Sequence, residues 1–532
     1  MGFINQKKEK QSSKHLNYMG GISYDIQNPL LKLKIASSSC FFGEPQYYRR
    51  DKDDKRQKNL PGSPLSEHEL NFLREQLDAI DPKEWRKSSP AEIIENAIDE
   101  ALDFNAEETL KFAVELRQNL NIRTTPQVIL VRASKHPKVK GLNLISKYAP
   151  GILQRLDEPA VQMAYYLSKY GKPISSSLKR AWAKKFETAS EYDLAKYRME
   201  GREVKTVDVI NVCHPSSDNI SKLMKGQLKL KEEQKTWESV RSSGGSWEEA
   251  SKVMGHMALL RNLRNLEQNG SLSEELLGNL LKGVPGGKQL PFRYYTAYRE
   301  LEKISARGKV LDKIEECLEK SFENAPYFSG KVMSLVDNSG SAWGTMTSSL
   351  GTLTMAEIGN LMGVMTAKMS DEGFVGIFGD KYEKLEVRRK SSIFDTLTKV
   401  SNIGQGIGGS TEHGVWLFWE EAMNKNIHWD KVFIYSDMQA GHGGLYGRGG
   451  NYPVFANPTK KAGFNSYICV PSLVKEYREK VNSNVEVFLV QMAGYTDTLM
   501  PEFYDKTYIL GGWSEKILTF ANEMSKMNSF QR

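Results

Sequence analysis

Two patterns of apolar positions divide this chain. From about Ser66 to Phe328 apolar residues recur three and four apart, the spacing of helices that bury one face. The stretch Ser88-Ser-Pro-Ala-Glu-Ile-Ile-Glu-Asn-Ala-Ile-Asp-Glu-Ala-Leu opens with capping residues and a proline, then takes up that period. Further helices are predicted over 107–119, 126–134, 159–170, 176–187, 247–267, 273–282, 291–304 and 309–324. Short Gly, Pro or Ser breaks separate them, as in solenoids of helical hairpins, although no repeat of fixed length is visible. After Phe328 the period changes. Short continuous apolar runs at 332–337, 374–379, 431–436 and 485–492 alternate with helical stretches at 345–369, 412–424, 471–482 and 514–526. Buried-type strands with crossover helices predict a parallel sheet covered on both faces, a doubly wound α/β domain.

The first of these strands ends in chemistry. Val336-Asp-Asn-Ser-Gly-Ser341 places Asp337, Ser339 and Ser341 at alternate positions of a loop, so one carboxylate and two hydroxyls can turn toward a single hard cation. Mg²⁺ or Mn²⁺ suits a set with few protein charges, leaving a coordination position for a partner's carboxylate or phosphate. Downstream, Gly408-Gly-Ser-Thr411 offers another hydroxyl after a glycine turn, and Lys431-Val-Phe-Ile-Tyr-Ser-Asp437 is a second strand ending in an acid. This combination resembles the metal-ion-dependent adhesion site of von Willebrand factor A-like domains, with Asp337, Ser339, Ser341, Thr411 and Asp437 matching its five positions. In doubly wound sheets, ligands bind beyond the carboxyl ends of the strands, where Asp337 and Asp437 both fall. Residues 404–409 also satisfy Gly-x-Gly-x-x-Gly, but a predicted helix precedes them, so they are read as a turn presenting Thr411 and not as a dinucleotide fingerprint. The glycine-rich stretch Gly441–Gly450, with His442, Tyr446 and Arg448, is read as a surface loop.

At 532 residues, the chain exceeds what one core serves, and two or three domains are expected. Cys40, Cys213, Cys317 and Cys469 lie far apart, which argues against a zinc ribbon or disulfide scaffold and fits a reducing cytosol. No apolar run approaches a membrane span, the start Met1 to Ser13 lacks a signal-peptide core, and Gln6 stands where a myristoylation signal needs Ser or Thr. A cytoplasmic location is therefore expected.

The net charge of +8 is modest, but its distribution is uneven. Residues 331–532 hold 20 Lys+Arg against 21 Asp+Glu, net −1, so residues 1–330 carry +9. A basic section beside an aspartate-centred one suggests that the first section holds a polyanion. Its densest region runs from Lys172 to Lys205 and includes Lys172, Lys179, Arg180, Lys184, Lys185, Lys196, Arg198, Arg202 and Lys205. On a helix through 178–186, Leu178, Trp182 and Phe186 share one stripe while Arg180 and Lys184 point away, an exposed ridge suited to phosphates. A solubilising face would carry the same spacing. His214 follows in Val212-Cys-His-Pro, where a structural histidine is the common alternative. The mixed charge run Arg49–Lys58 reads as a loop.

Taken in order, the segments resemble the Ro autoantigen family and its bacterial relatives, in which a TROVE module of HEAT-like helices precedes a von Willebrand factor A-like domain. The carriers are Asn28-Pro-Leu-Leu, Leu194-Ala-Lys-Tyr-Arg leading to Val212-Cys-His-Pro-Ser-Ser, Met257-Ala-Leu-Leu-Arg-Asn-Leu263, Leu290-Pro-Phe-Arg and Val336-Asp-Asn-Ser-Gly-Ser. The family's metal motif usually continues with Met. Here Ala342-Trp343 follows, and every oxygen ligand is retained. The resemblance implies an all-α HEAT-like helical-repeat ring over residues 1–328 and a doubly wound von Willebrand factor A-like domain over 329–532. It implies a ribonucleoprotein component that holds small structured Y-like RNAs on an outer basic surface and single-stranded ends of misfolded noncoding RNAs in a central hole. Lys196, Arg198 and His214 match positions of the outer surface; the spacing between Lys196 and His214 differs from the family's by a residue, which leaves the role of Arg202 or Glu200 open. Arg117, Arg123, Gln127, Arg261 and Arg264 are candidates for the hole, with an inter-helix packing role the alternative for Arg261. An exoribonuclease partner and a monomeric ring are further implications. No Ser-His-Asp order or two-metal arrangement favours catalysis. The competing reading is a metal-dependent protein-binding adaptor on a helical scaffold.

Overall fold

The computed structural model describes residues 14–16, 22–39, 90–199, 202–228, 235–344, 353–379, 381–408, 414–438, 470–493, 497–500 and 504–529. They form two compact units, one of residues 94–321 and one in which the N-terminal segment joins residues 322–532. The Arg49–Lys58 run, Thr411 and the glycine-rich stretch 441–450 lie outside the described residues. Among those described, no helix is long and apolar enough to cross a membrane.

The first unit is all helical, and helices adjacent or next but one along the chain pack together. Helix Thr124–Ala133 packs against Glu158–Tyr170, Leu144–Ile152 against Ser176–Glu187, and Pro291–Glu302 against Gly308–Ser321. The opening helix, Pro90–Gln118, is kinked at Asn105, whose backbone is non-helical and whose side-chain carbonyl accepts from the Glu108 amide at 3.1 Å, capping the second half. The single helix predicted over 247–267 is two, Trp247–Lys252 and His256–Gln268, because Gly255 is extended and serves as the N-cap of the second. The motif Met257–Leu263 buries Leu259, Leu260 and Leu263, and the His256 Nε2 just before it lies 2.9 Å from the Tyr294 hydroxyl just after Leu290-Pro-Phe-Arg, so the helices that carry these two motifs pack on each other.

The second unit is built on a six-stranded sheet. Strands β1 (Lys14–Leu16), β2 (Ile22–Asp25), β3 (Phe328–Asp337), β4 (Ser370–Phe378), β5 (Tyr382–Val387), β6 (Lys431–Ser436), β7 (Glu486–Gln491), β8 (Asp497–Thr498) and β9 (Thr507–Gly511) follow in chain order. The large sheet has the order β5-β4-β3-β6-β7-β9 and is parallel except for the edge pair β4–β5. This is the expected doubly wound sheet, with two strands that the apolar pattern does not reveal. Strand β5, Tyr-Glu-Lys-Leu-Glu-Val, is polar because it lies at an edge, and β9 is short.

The expected boundary at 328 moves in two ways. The sheet unit begins at Phe322, and the described residues before Ser39 belong with it and not with the helices. Strand β2 pairs with β8, Tyr24 opposite Thr498, and helix Pro29–Ser39 packs on β9, started by Asn28, whose side-chain carbonyl accepts from the Leu30 and Leu31 amides.

Both faces of the sheet are apolar. Phe433 stacks on Phe488 at 4.5 Å between centroids and Phe488 on Tyr508 at 4.9 Å, while Trp429, Trp419, Phe418 and Tyr477 pack on the other side. Helix Met355–Lys368 is buried on every side and lies so close to β3 that a Cβ at Gly363 would stand 2.4 Å from Val336 Cγ1. The aromatic stack sets the stability of this unit. Phe433→Ala is expected to cost about 3–5 kcal/mol, read as a lower urea midpoint; a loss below about 1 kcal/mol would remove the stack from that role.

Candidate functional site

The register of the central strands places the acids. Val336 is opposite Tyr435, so Asp337 emerges beside Ser436 and Asp437 at the carboxyl ends of β3 and β6. Both carboxylates are buried, Asp337 2% and Asp437 0% exposed. The Asp337 carboxylate accepts from the Ser436 hydroxyl at 2.6 Å and from the Ser339 amide at 3.0 Å. The Ser339 and Ser341 hydroxyls stand 3.1 Å apart, and Ser341 reaches the Asp437 carboxylate at 3.5 Å. Four of the five predicted ligand residues therefore converge on one spot, and the fifth, Thr411, lies outside the described residues. Ser436 had no place in the expected ligand set. Its strand position marked it as an ordinary core hydroxyl, and only cross-strand register reveals its bond to Asp337.

Electrostatics supply a test of fit. Burial, and then the neighbouring Asp437 charge, hold the Asp337 carboxyl well above the usual carboxylate range, against the opposing bonds from Ser436 and Ser339. Two buried like charges repel unless a cation lies between them, and the surrounding hydroxyl oxygens are hard donors. Among the described residues no group of three or more His, Cys, Asp or Glu is gathered as a metal cluster, so a cation here would rest on two carboxylates and hydroxyls, as suits Mg²⁺ or Mn²⁺ and not Zn²⁺.

The loop is also braced from behind. Asn338 donates to Asn360 at 2.8 Å and accepts back at 3.0 Å, joining the loop to helix Met355–Lys368. Gly404, near the end of helix Ile393–Gly406, admits it so closely that a Cβ there would meet Asn338 Oδ1 at 2.0 Å. The chain then turns through Gly408, at φ +97°, toward Thr411. A helix does precede the last glycines, as expected, but it runs through Gly406, so Gly404 and Gly406 belong to its final turns and the described part of the turn is Ile407–Gly408.

In the helical unit the predicted ridge is exposed. Leu178, Trp182 and Phe186 are fully buried, and Lys172, Arg180, Lys184, Lys196, Arg198, Arg202 and His214 all face solvent. His214 ends helix Thr206–Cys213 in the left-handed conformation, φ +48°, which explains a polar residue at that turn.

The candidates for the hole divide. Gln127 is 2% exposed, donates to the Ile152 carbonyl at 3.3 Å and accepts from Gln162 at 2.7 Å, which in turn accepts from Trp182 at 2.7 Å. It is a buried packing residue and not the expected side chain open to RNA. Arg117 is likewise engaged by the buried Glu158, with Nε 2.9 Å and Nη2 2.8 Å from Oε1, and is not open to RNA. Arg123 is exposed at the edge of Asp157, 3.2 Å away, and Arg264 pairs with Glu300 at 3.0 Å. Arg261 is exposed and has no bonded partner among the described residues, which removes the packing alternative.

No family model matches the chain, and no curated protein matches its sequence. Among solved structures it is similar to the crystal structure of the Deinococcus radiodurans Ro (RSR) protein, with a TM-score of 0.55 and 14% identity over 83% of this chain and 95% of that one. At this identity the likeness is one of fold. This chain has the fold of a bacterial Ro protein, the family that its sequence motifs resemble.

The sorting of arginines has a measurable consequence. Arg117→Ala would leave Glu158 buried without its partner and is expected to cost about 3–5 kcal/mol in chemical denaturation. Arg261→Ala should change stability by less than about 0.5 kcal/mol. Equal effects would contradict the division.

Proposed function

We propose that this protein is a non-enzymatic, RNA-binding ribonucleoprotein component acting in noncoding RNA quality control or processing. The observation that carries the reading is the exposed ridge of Lys172, Arg180, Lys184, Lys196, Arg198, Arg202 and His214 on the helical unit of a Ro fold. A structured Y-like RNA suits it, because A-form duplexes are held by shape and backbone contacts, which a row of Lys and Arg supplies. Single-stranded ends of misfolded RNAs are the ligand that the family resemblance implies for a central hole, with Arg123, Arg261 and Arg264 as the remaining candidate contacts. An exoribonuclease is the partner that such ends would call for, and the cytoplasm the location. The sheet unit is read as a docking module in which Asp337, Ser339, Ser341, Thr411 and Asp437 hold Mg²⁺ or Mn²⁺. The cation would offer an open position to a carboxylate or phosphate of a partner.

Neutralising Lys196, Arg198 and His214 together is expected to weaken binding of a structured RNA. The slope of log affinity against log salt should become shallower by roughly 0.7–0.9 per lost phosphate contact. A folded triple variant with wild-type affinity and slope would sink the ridge as an RNA surface.

The metal site should titrate separately. Mn²⁺ binding, followed by electron paramagnetic resonance, should vanish in Asp337→Ala while RNA affinity barely changes. In the wild type it should weaken as pH falls, because the raised Asp337 carboxyl must lose its proton to ligate. Mn²⁺-dependent shortening of a labelled RNA that disappears in Asp337→Ala would overturn the non-enzymatic assignment.

A further inference from the structure

A second group of cations in the helical unit is organised differently from the ridge. Asp157, 6% exposed, is bound bidentately by Arg155, with Nε 2.9 Å from Oδ1 and Nη2 2.8 Å from Oδ2, and again by Arg123 at 3.2 Å. Two guanidinium groups thus share one carboxylate. The neighbouring Glu158 adds no neutralisation, since Arg117 and the Gln154 and Arg155 amides already occupy it. Arg155 also lies over the ring of Tyr197, 4.7 Å from its centroid. Lys196 shares that ring at 5.5 Å and lies over Tyr192 at 5.2 Å, donating to its hydroxyl at 3.3 Å. Among the described residues Lys196 has no carboxylate partner, and both tyrosines are half-buried.

The arrangement leaves positive charge unbalanced and held in place. Partial burial, and then the charge of Arg155, lower the affinity of the Arg123 guanidinium for its proton, against the attraction of Asp157 and Glu158. Arg155 is fixed by its two bonds and by the ring, so little side-chain freedom is left to lose when a ligand arrives. Cations alone would suit any polyanion. Cations interleaved with partly open aromatic rings suit an unpaired nucleotide, whose phosphate takes the charge and whose base takes the ring face; a duplex keeps its bases stacked inside and cannot use the rings.

We infer that Arg123, Arg155 and Lys196 with the rings of Tyr192 and Tyr197 form a subsite for one unpaired nucleotide of a bound RNA, an inference that rests on the RNA-binding reading above. It joins Arg123, a candidate for the hole, to Lys196, a candidate for the outer surface, through Asp157, Arg155 and Tyr197.

The test uses the full-length protein and three fluorescent probes: a uridine decamer, an abasic decamer with the same backbone, and a blunt hairpin. Wild type should bind the uridine decamer more tightly than the abasic one. Tyr192→Leu should weaken uridine binding by about 5- to 150-fold, the range for one stacked base, and should leave the hairpin unchanged. Tyr192→Phe keeps the ring and should restore uridine binding, which separates stacking from a folding defect. Arg123→Gln, which leaves Asp157 paired with Arg155, should make the salt slope shallower by about 0.7. Equal binding of uridine and abasic decamers, or wild-type behaviour of both Tyr192→Leu and Arg123→Gln, would overturn the subsite while hairpin binding kept the RNA reading intact. Competition by an acidic peptide with no preference for bases would overturn it in favour of plain charge attraction. Failure of the wild type to bind any of the three probes would overturn both readings.

Discussion

Parallel pairing of β3 with β6 fixes two aspartates side by side in a place that water does not reach, and much of the sheet unit is arranged around that constraint. Asp337 and Asp437 are carried there by strands whose other residues are buried on both faces, so neither acid can withdraw without dragging apolar core into solvent. The hydroxyls of Ser436 and Ser339 and the Asn338–Asn360 bridge hold the loop in its turn. None of these groups carries a positive charge. They orient the carboxylates, and burial together with the neighbouring Asp437 charge raises the Asp337 carboxyl, which is the ground for proposing a cation there.

The helical unit treats its charges by a simple rule of access. Arg117 and Arg132 are engaged by carboxylates as parts of the packing, Arg117 with Glu158, and Arg132 with Asp99 at 2.8 Å and the Tyr165 hydroxyl at 2.9 Å. Such pairs do little for net stability but fix which helices meet, because losing either partner strands a buried charge. Arg180 and Lys184 of the ridge sit on the far side of the helix anchored by Leu178, Trp182 and Phe186, and the ridge residues beyond it are likewise exposed, where a phosphate can approach.

Much of this was legible in the residues because burial writes a pattern along the chain. Strands β3, β4, β6 and β7 carry largely apolar runs where both faces are covered, toward their carboxyl ends, and these runs are visible in the sequence; β5 is an edge strand whose alternation, Tyr-Glu-Lys-Leu-Glu-Val, resembles a loop. The pairing of Tyr24 with Thr498 has no local signature at all, which is why the N-terminal segment was assigned to the wrong unit. The acids of the metal loop could be read because a strand end places them; Ser436 could not, since its role depends on register with another strand. Gln127 misled because a glutamine in an apolar helix looks the same whether it meets solvent or, as here, a carbonyl and a second buried amide. Arg155 escaped notice beside Asp157 and Glu158, where local charge sums to less than zero although the folded cluster is cationic.

Both candidate sites share one physical logic with opposite sign. In the sheet unit, the described residues bring two carboxylates together beside neutral hydroxyl and amide donors, an arrangement that the proposed small cation would complete. Around Asp157, folding brings cations together in excess of carboxylates and surrounds them with aromatic faces, so the missing element is an anion attached to something flat. A protein that neutralised every charge internally would gain little from a ligand. Leaving a defined deficit in each unit turns the electrostatic cost of folding into selectivity for the species that relieves it.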